Sequence, residues 1–455
     1  MKLDSFIYAT VLAASAAADA MVGTNIGGWM VLEPWITPTF FYRFLSKKHS
    51  EGVGMDCWTV CEALGPEEGN AMMRAHWDAW VTEDHIKQLA ERDVEIVRLP
   101  IGDWSITPYG PYIGCMDGAA EKIDWFLDTA AKYGLKVLLD VHAVKDSQNG
   151  FDNSGKASDL VWTDENHFKH WSIENASWLG HFNAQEYRYD SINQENIDWS
   201  IQVVSDMMAR WGNHPAVYAF EPVNEPWWAS DFPALKGFYR RARNVVREAN
   251  PDLVFVFHDA FTPRADTWND LFEDDDMDNV AMDTHAYMAW WEHKNDIPMY
   301  CDDYRKVLTT DDILNVKYPV WVGEWALATD VCAMWLGGFN DSNTSYQFDC
   351  NWVDCPYTYL PEPFKFDMDR EAAMLGPIGE SDRSAIRYGK CPIDSTWFTS
   401  SNVQTLAECT REVFDEHYGA QFMWNFRNEL EVKWSYLEAY NIGWLNFGKS
   451  RQFLN

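Results

Sequence analysis

The 455-residue sequence predicts an α/β fold, a closed (β/α)8 TIM barrel with long loops after strands 1, 3 and 7. Eight short runs of β-branched and aromatic residues alternate with helical patterns, which predicts βαβ units and a parallel sheet. Polar residues close several of these runs, and a barrel carries its active site at the carboxyl ends of its strands. A doubly wound open sheet is the alternative, but no G-x-G-x-x-G motif follows the first run.

The predicted elements follow this alternation along the chain. The eight predicted strands are Val22–Trp29, Val94–Gly102, Lys136–His142, Val217–Glu225, Leu253–Asp259, Val280–Tyr287, Pro319–Trp325 and Gln421–Phe426. Amphipathic patterns predict helices over Ala120–Tyr133 and Ile197–Trp211. The long connections are Ile36–Arg92, Lys145–Ser200 and Ala326–Gly419. All three leave carboxyl ends of strands, so we expect them to wall the active site.

The N-terminus has the features of an export signal. Phe6 to Ala17 is apolar but too short to span a membrane, and Ala18-Asp19-Ala20 fits a small-x-small cleavage site. We therefore expect residues 1–20 to be a signal peptide and residues 21–455 to form a single catalytic domain. No later apolar run reaches the ~18 residues of a membrane helix. These features predict a secreted, extracellular or cell-wall-associated protein.

Composition narrows the range of partners. The net charge is −34, from 36 Lys and Arg against 70 Asp and Glu, and it repels nucleic acid and anionic membranes. Aromatic residues make up 15% of the chain and include 25 Trp, which either fill the core or form platforms for sugar rings. A neutral carbohydrate is compatible with both properties. We expect no nucleic-acid partner, no membrane partner and a monomer.

The nine cysteines predict disulfides in an exported chain, and the odd number leaves at least one cysteine unpaired. The Cys57/Cys61 and Cys350/Cys355 spacings could suggest a metal, but no histidine cluster has ligand spacing. We therefore predict neither a metal nor a cofactor. The candidate glycan acceptors are Asn175, Asn340 and Asn343.

Two glutamates, Glu225 and Glu324, stand at the ends of the fourth and seventh runs. Two carboxylates on one face of a barrel are what glycoside hydrolysis needs, one to protonate the leaving oxygen and one to attack or direct water. Arg98 and Tyr287 are predicted to hold Glu324 ionised, and Asn224 to bind the sugar hydroxyl beside the anomeric carbon. Other polar and aromatic residues near strand ends are Glu33, His142, His285 and Trp424.

Several motifs resemble those of glycoside hydrolase family 5. The matches are Asn224-Glu225-Pro226 on strand 4, His285-Ala286-Tyr287 on strand 6 and Gly323-Glu324-Trp325 on strand 7. The chain is most similar to the fungal exo-β-1,3-glucanases within that family. The segments that carry this closer resemblance are Asn25–Pro38, Val97–Gly102, Ser147–Gly155, His258–Phe261 and Arg451–Phe453.

The resemblance implies release of glucose from the non-reducing ends of β-1,3-glucans, with Glu225 as acid/base and Glu324 as nucleophile of a retaining reaction. We then expect their carboxyl groups to lie about 5–5.5 Å apart. The further residues that the resemblance assigns to the sugar site are Glu33, His142, Asp152 and Asn153 around the terminal glucose, Phe151 and Trp290 at the entrance, and Trp424 beneath the sugar.

Other implications of the resemblance concern the cysteines and the substrate. It implies a disulfide between Cys332 and Cys391, and it leaves Cys301 without its C-terminal partner. The loops after strands 3 and 7 are longer than in the fungal enzymes. They keep open a different β-glucoside as substrate, such as a β-1,6-glucan or a sterol glucoside, and a non-catalytic glucan-binding wall protein.

Overall fold

The computed structural model is a closed barrel of eight parallel strands, which confirms the predicted fold. It describes residues 19–44, 54–156, 161–162, 168–169, 176–183, 185–273, 277–292, 294, 296–330, 333, 336, 357–365 and 399–445. The strands are β1 Met21–Asn25, β2 Ile96–Gly102, β3 Lys136–Ala143, β4 Val217–Glu221, β5 Val254–His258, β6 Val280–Ala286, β7 Val320–Trp325 and β8 Ala420–Met423. Each strand pairs with the next, and β8 closes onto β1.

Helices connect the strands and surround the barrel. The helices in the described part of the chain are Pro38–Phe41, Cys57–Trp80, Glu83–Glu91, Tyr112–Cys115, Ala119–Lys132, Gln194–Trp211, Phe232–Ala249, Ala265–Trp268, Ile297–Leu308, Asp311–Leu314, Ser400–His417 and Tyr436–Asn441. The helix predicted from Ile197 begins three residues earlier, because the Asn193 side chain accepts from the Asn196 amide and caps its first turn.

The barrel interior has an apolar layer followed by a charged layer. The apolar layer consists of Ile96, Leu138, Ala219, Val256, Ala281, Trp321, Ala420 and Phe422. Since side chains alternate along a strand, the residue two positions later points into the barrel again, nearer the carboxyl end. Those positions on β2 to β6 hold buried polar residues, namely Arg98, Asp140, Glu221, His258 and Asp283. The alternation of side chains along the strands therefore places a polar layer next to the apolar layer, nearer the carboxyl end of the barrel.

The long connections contain additional structure at the carboxyl end of the barrel. After β3, Gly180–Asn183 pairs antiparallel with Arg188–Ile192 to form a hairpin. After β7, Tyr359 crosses back towards the β1 side, where its hydroxyl lies 2.6 Å from Nδ1 of His76 and its ring contacts Trp80. The connection after β1 includes the helices Pro38–Phe41, Cys57–Trp80 and Glu83–Glu91.

Two disulfides join distant parts of the described chain, Cys61 to Cys115 and Cys301 to Cys409. The expectation that Cys301 lacks a partner is therefore wrong. Its partner lies on the helix before β8, which packs beside the helix that carries Cys301. Cys57 is free and buried.

Some predictions fall outside the described residues. They include the Cys332–Cys391 pair, the three glycan acceptors, residues 1–18 of the signal peptide and Arg451–Phe453. Among the residues that are described, no helix is both long and apolar enough to cross a membrane.

Candidate active site

Arg98 on β2 organises the charged layer. Its guanidinium is fully buried and lies 3.0 Å from carboxylate oxygens of both Glu221 and Glu324, 3.2 Å from Asp140 and 3.9 Å from Asp283. One cation among four carboxylates leaves the centre rich in negative charge. The pKa of Glu221 is accordingly raised well above its usual value. Burial is the largest cause, Asp283 and Asp140 add to it, and Arg98 opposes it.

Glu324 on β7 receives two hydrogen bonds, one at each carboxylate oxygen. Arg98 donates to Oε1 at 3.0 Å, and the Tyr287 hydroxyl donates to Oε2 at 2.6 Å. Both partners are those predicted from the sequence. The preceding residue is Gly323, whose amide donates to Asp283 at 2.6 Å and where a Cβ would overlap the Asp283 carboxylate. The glycine therefore lets β7 approach β6 closely enough to place Glu324.

Glu225 lies four residues beyond the end of β4, in a left-handed backbone conformation with φ of +43°. That conformation costs about 1 kcal/mol for a residue other than glycine, so surrounding bonds must hold it. The loop after β3 provides them. Gln148 donates to the Asn224 carbonyl at 2.9 Å, and Asn149 donates to the Glu225 carbonyl at 3.1 Å.

His285 on β6 lies between the two glutamates. Its Nδ1 is 2.7 Å from Oε1 of Glu225 and 3.4 Å from Oε2 of Glu324, and its Nε2 is 3.3 Å from Asp283. Although burial disfavours a charged imidazole, Glu324 and Asp283 outweigh that effect and raise the pKa of His285 well above its usual value. This shift favours the imidazolium, whose Nδ1–H can donate a hydrogen bond to Glu225.

The environment shifts the pKa values of the two glutamates in opposite directions. Burial raises the pKa of Glu225, but the hydrogen bond and charge of His285 outweigh it and leave the pKa below its usual value. For Glu324, burial and the neighbouring Glu225 raise the pKa, while His285 and Arg98 oppose the shift. Nδ1 of His285 and Oε1 of Glu225 are 2.7 Å apart, so a single hydrogen bond connects the two groups.

The residues expected around a terminal glucose contain buried polar atoms without hydrogen-bond partners. Within the described residues these atoms are Oε1 of Glu33, Oδ2 of Asp152 and Oδ1 of Asn153. Burial raises the pKa of Asp152 to about 7, and burial with Asp152 and Glu324 raises the pKa of Glu33. Because an unpaired buried polar atom costs about 1–3 kcal/mol, these atoms are suited to bind the hydroxyl groups of a ligand.

The remaining predicted residues border this pocket. Trp424 stacks on His142 with ring centroids 5.3 Å apart, and Asn224 Nδ2 is 3.5 Å from Nε2 of His142. Asn224 also accepts from Arg98 at 2.7 Å, which fixes its amide. Trp290 contacts Tyr287 and is 58% exposed. The structure thus gathers the predicted strand-end residues around Glu225 and Glu324, with Trp290 at the exposed margin.

Sequence reasoning missed the carboxylates that support these residues. Asp140 is 2.6 Å from Nδ1 of His142, and Asp283 is 3.3 Å from Nε2 of His285. Each stands two residues before its histidine, on the same inward face of its strand. A carboxylate two positions before a histidine at the end of a strand could therefore have predicted both contacts from the sequence. The Trp35 indole, which donates to Glu33 at 3.1 Å, had no comparable signal.

Glu225, His258 and His285 approach one another closely enough to be considered as metal ligands. His285, however, directs both ring nitrogens at carboxylates, and Nδ1 of His258 accepts from the Ala260 amide at 3.0 Å. A ligand nitrogen needs a free lone pair. Because Nδ1 of His258 accepts, the neutral ring carries its proton on Nε2, which has no hydrogen-bond partner among the described residues. Neither histidine therefore offers a free lone pair, and we derive no step through a metal.

Comparisons with known proteins find related sequences. The family model for Cellulase (glycosyl hydrolase family 5) matches residues 61–354. A glucan 1,3-beta-glucosidase of Blumeria graminis is 28% identical over 92% of this chain and 85% of its own length. A probable glucan 1,3-beta-glucosidase A of Aspergillus niger is 30% identical over 77% of this chain and 76% of its own.

Solved structures share the fold at lower identity. The rutinosidase of Aspergillus niger superposes with a TM-score of 0.58 at 16% identity, covering 95% of this chain and 99% of its own. At that identity the likeness concerns the barrel architecture alone.

Proposed function

Because the chain belongs to glycoside hydrolase family 5 and is a glycosidase, we propose that it is a secreted retaining enzyme that releases glucose from the non-reducing ends of β-1,3-glucans. The curated relatives named as glucan 1,3-beta-glucosidases support this choice of substrate. The buried, unpaired oxygens of Glu33, Asp152 and Asn153 support a pocket that binds a single terminal sugar.

The bridging position of His285 carries the retaining assignment. Oε1 of Glu225 and Oε2 of Glu324 cannot be farther apart than 2.7 Å and 3.4 Å combined. This limit holds for one pair of oxygens. It is compatible with the ~5–5.5 Å between the carboxyl groups of retaining enzymes and is shorter than the ~6.5–9.5 Å of inverting enzymes. Glu324 is therefore close enough to attack the sugar while Glu225 serves the leaving group.

In the first step, a Glu324 oxygen forms a bond to the anomeric carbon as the glycosidic carbon–oxygen bond breaks. The leaving oxygen takes a proton from Glu225. We assign the origin of that proton to His285, whose Nδ1 lies 2.7 Å from Oε1 of Glu225 and whose pKa is raised above its usual value. As Glu324 loses its charge in the covalent intermediate, the pKa of His285 falls, because Glu324 is its largest charged stabiliser.

In the second step, Glu225 removes a proton from water, the water oxygen attacks the anomeric carbon and Glu324 is released as a carboxylate. Arg98 and Tyr287 stabilise that carboxylate through the bonds at its two oxygens. Asn224, fixed by Arg98, is placed to donate from Nδ2 to the hydroxyl beside the anomeric carbon.

The test combines site variants with product analysis. We expect Glu324→Gln to lower kcat by on the order of 10⁴-fold or more, and Glu225→Ala by about 10²–10⁴-fold on substrates with poor leaving groups. Azide should rescue Glu225→Ala and yield a β-glycosyl azide. Glu429→Gln, which changes a buried glutamate outside the site, is the matched control and should retain activity.

Two outcomes would contradict the proposal. An α-glycosyl azide would exclude retention, and full activity of Glu324→Gln would exclude its role as nucleophile. Laminarin, a β-1,3-glucan, tests the substrate. Glucose as the first and dominant product supports exo action, whereas a mixture of oligosaccharides from the start would refute it.

A further inference from the structure

Exposed aromatic side chains cluster beside the catalytic pair, on the loops after β3, β4 and β5. Trp228 is 44% exposed, Tyr187 62% and Phe261 39%. The ring centroids of Trp228 and Phe261 lie 6.4 Å apart, and the Trp228 indole donates to the Tyr187 hydroxyl at 2.8 Å. We call Tyr187, Trp228 and Phe261 the aromatic platform. Exposed apolar side chains that lie together are a common feature of binding sites in soluble proteins.

Packing and hydrogen bonds hold the aromatic platform in place. Tyr187 lies in the turn of the hairpin after β3, whose Phe182 is buried and contacts the Tyr187 ring at 5.5 Å. Tyr189, on the same hairpin, hydrogen bonds to Ser230 of the loop after β4. The hairpin is thus fixed against the loop that carries Trp228, and the indole–hydroxyl bond orients both exposed rings.

The position of the platform identifies which part of a substrate it can meet. Trp228 follows Glu225 by three residues, and three residues span at most ~11 Å. Glu225 protonates the leaving oxygen, so the leaving part of the substrate lies on its side of the site. Of the proposed glucose-binding residues, Glu33 and Trp424 come from the connections after β1 and β8, whereas Asp152 and Asn153 share the connection after β3 with Tyr187. Trp228 follows β4, and Phe261 after β5 contacts His258, which packs on His285 beside Glu225. The platform therefore lies towards the leaving group.

We propose that the aromatic platform binds the leaving-group portion of a β-glucan chain. The inference rests on the proposed function and extends it to chain-length preference. A β-linked glucose ring presents axial C–H groups on its faces, which pack on aromatic rings, while its equatorial hydroxyls remain in water. Trp and Tyr suit this role because each combines an apolar face with a polar atom. The platform should favour long glucans over short glucosides.

The test is the dependence of kcat/KM on chain length. We expect Trp228→Ala to lower kcat/KM about tenfold for laminarin and laminarihexaose, equivalent to about 1.4 kcal/mol. Its effect on 4-nitrophenyl β-glucoside should be less than twofold, since that substrate is too short to reach the platform. Trp228→Phe should restore most of the loss because it keeps a ring. Tyr133→Ala is the control, since Tyr133 precedes β3 at the opposite end of the barrel.

The outcomes separate this inference from the proposed function. Suppose that the wild-type protein hydrolyses laminarin. If Trp228→Ala then lowers kcat/KM equally for laminarihexaose and the aryl glucoside, or lowers it for neither, the platform is refuted and the proposed function stands. If wild-type protein hydrolyses only the aryl glucoside, the β-1,3-glucan assignment fails and this inference with it. Calorimetry can measure the Kd of laminarihexaose for the Glu324→Gln variant, which does not rely on turnover. A tenfold higher Kd when Trp228→Ala is added would support the platform.

Discussion

Replacing Tyr287 by phenylalanine tests how the site controls the charge of Glu324. The substitution removes the hydroxyl that donates to Oε2 of Glu324 at 2.6 Å. It retains the ring, which packs against Trp290 and Trp434. Burial and the adjacent Glu324 raise the pKa of Tyr287 well above its usual value, so the hydroxyl is protonated and acts as a donor throughout the working range.

The magnitude follows from the type of bond. A hydrogen bond to a charged group contributes about 1.5–3 kcal/mol. Loss of a donor to the ionised form disfavours that form, so the pKa of Glu324 rises. At about 1.36 kcal/mol per pKa unit, the expected rise is roughly one to two units. If the same bond stabilises Glu324 when it is released in the second step, kcat should fall by about 10–150-fold.

The assay is kcat/KM against pH with an aryl β-glucoside, because its acidic limb reports ionisation of the free enzyme. We expect the limb to move to higher pH by one to two units in Tyr287→Phe. Tyr304→Phe is the matched control, since its buried hydroxyl donates to the Ala286 carbonyl at 3.2 Å rather than to a carboxylate. An unshifted limb in Tyr287→Phe, with a loss of Tm equal to that of Tyr304→Phe, would refute the reasoning.

Two further predictions concern stability. Burial raises the pKa of Glu429 to about 7, so the folded state binds its proton more tightly than the unfolded chain, and stability falls as pH rises from about 4.5 to 7. In Glu429→Gln the side-chain oxygen can accept from the Thr39 amide, and the side-chain NH2 can donate to the Thr39 hydroxyl. Its free energy of unfolding in urea should therefore match the wild type at pH 4 and exceed it at pH 8; a lower value at pH 8 would contradict this. Cys301→Ser with Cys409→Ser opens a 108-residue loop and should cost on the order of 4 kcal/mol, seen as a lower Tm. Non-reducing peptide mapping that finds the two cysteines unlinked in wild-type protein would overturn that prediction.

The sequence predicted those site residues that follow directly from strand pattern. Arg98, His285 and Glu324 lie within strands, so the alternation of side chains determines which face they occupy. Parallel strands of a barrel converge at one rim, and residues far apart in sequence must meet there. The Arg98–Glu324 and Tyr287–Glu324 contacts were predictable for this reason.

Other features depended on the packing of loops and helices. The Cys301–Cys409 disulfide requires two helices to pack side by side, which no local pattern indicates. The bond between Tyr187 and Trp228 joins two different long-range connections, so neither segment alone predicts it. The bridging of both glutamates by His285 likewise depends on the bulge between Thr284 and His285 on β6, which shifts the register against β7.

The sequence by itself thus determined the eight-stranded barrel and the identity of the two catalytic candidates, because periodicity and strand ends are local properties. Only the tertiary structure decided that His285 bridges the two glutamates and that Tyr187 and Trp228 hydrogen bond to each other. Those properties depend on distances of a few ångströms between His285 and the two glutamates, and between Tyr187 and Trp228. Such distances are set by the packing of the whole barrel and its loops.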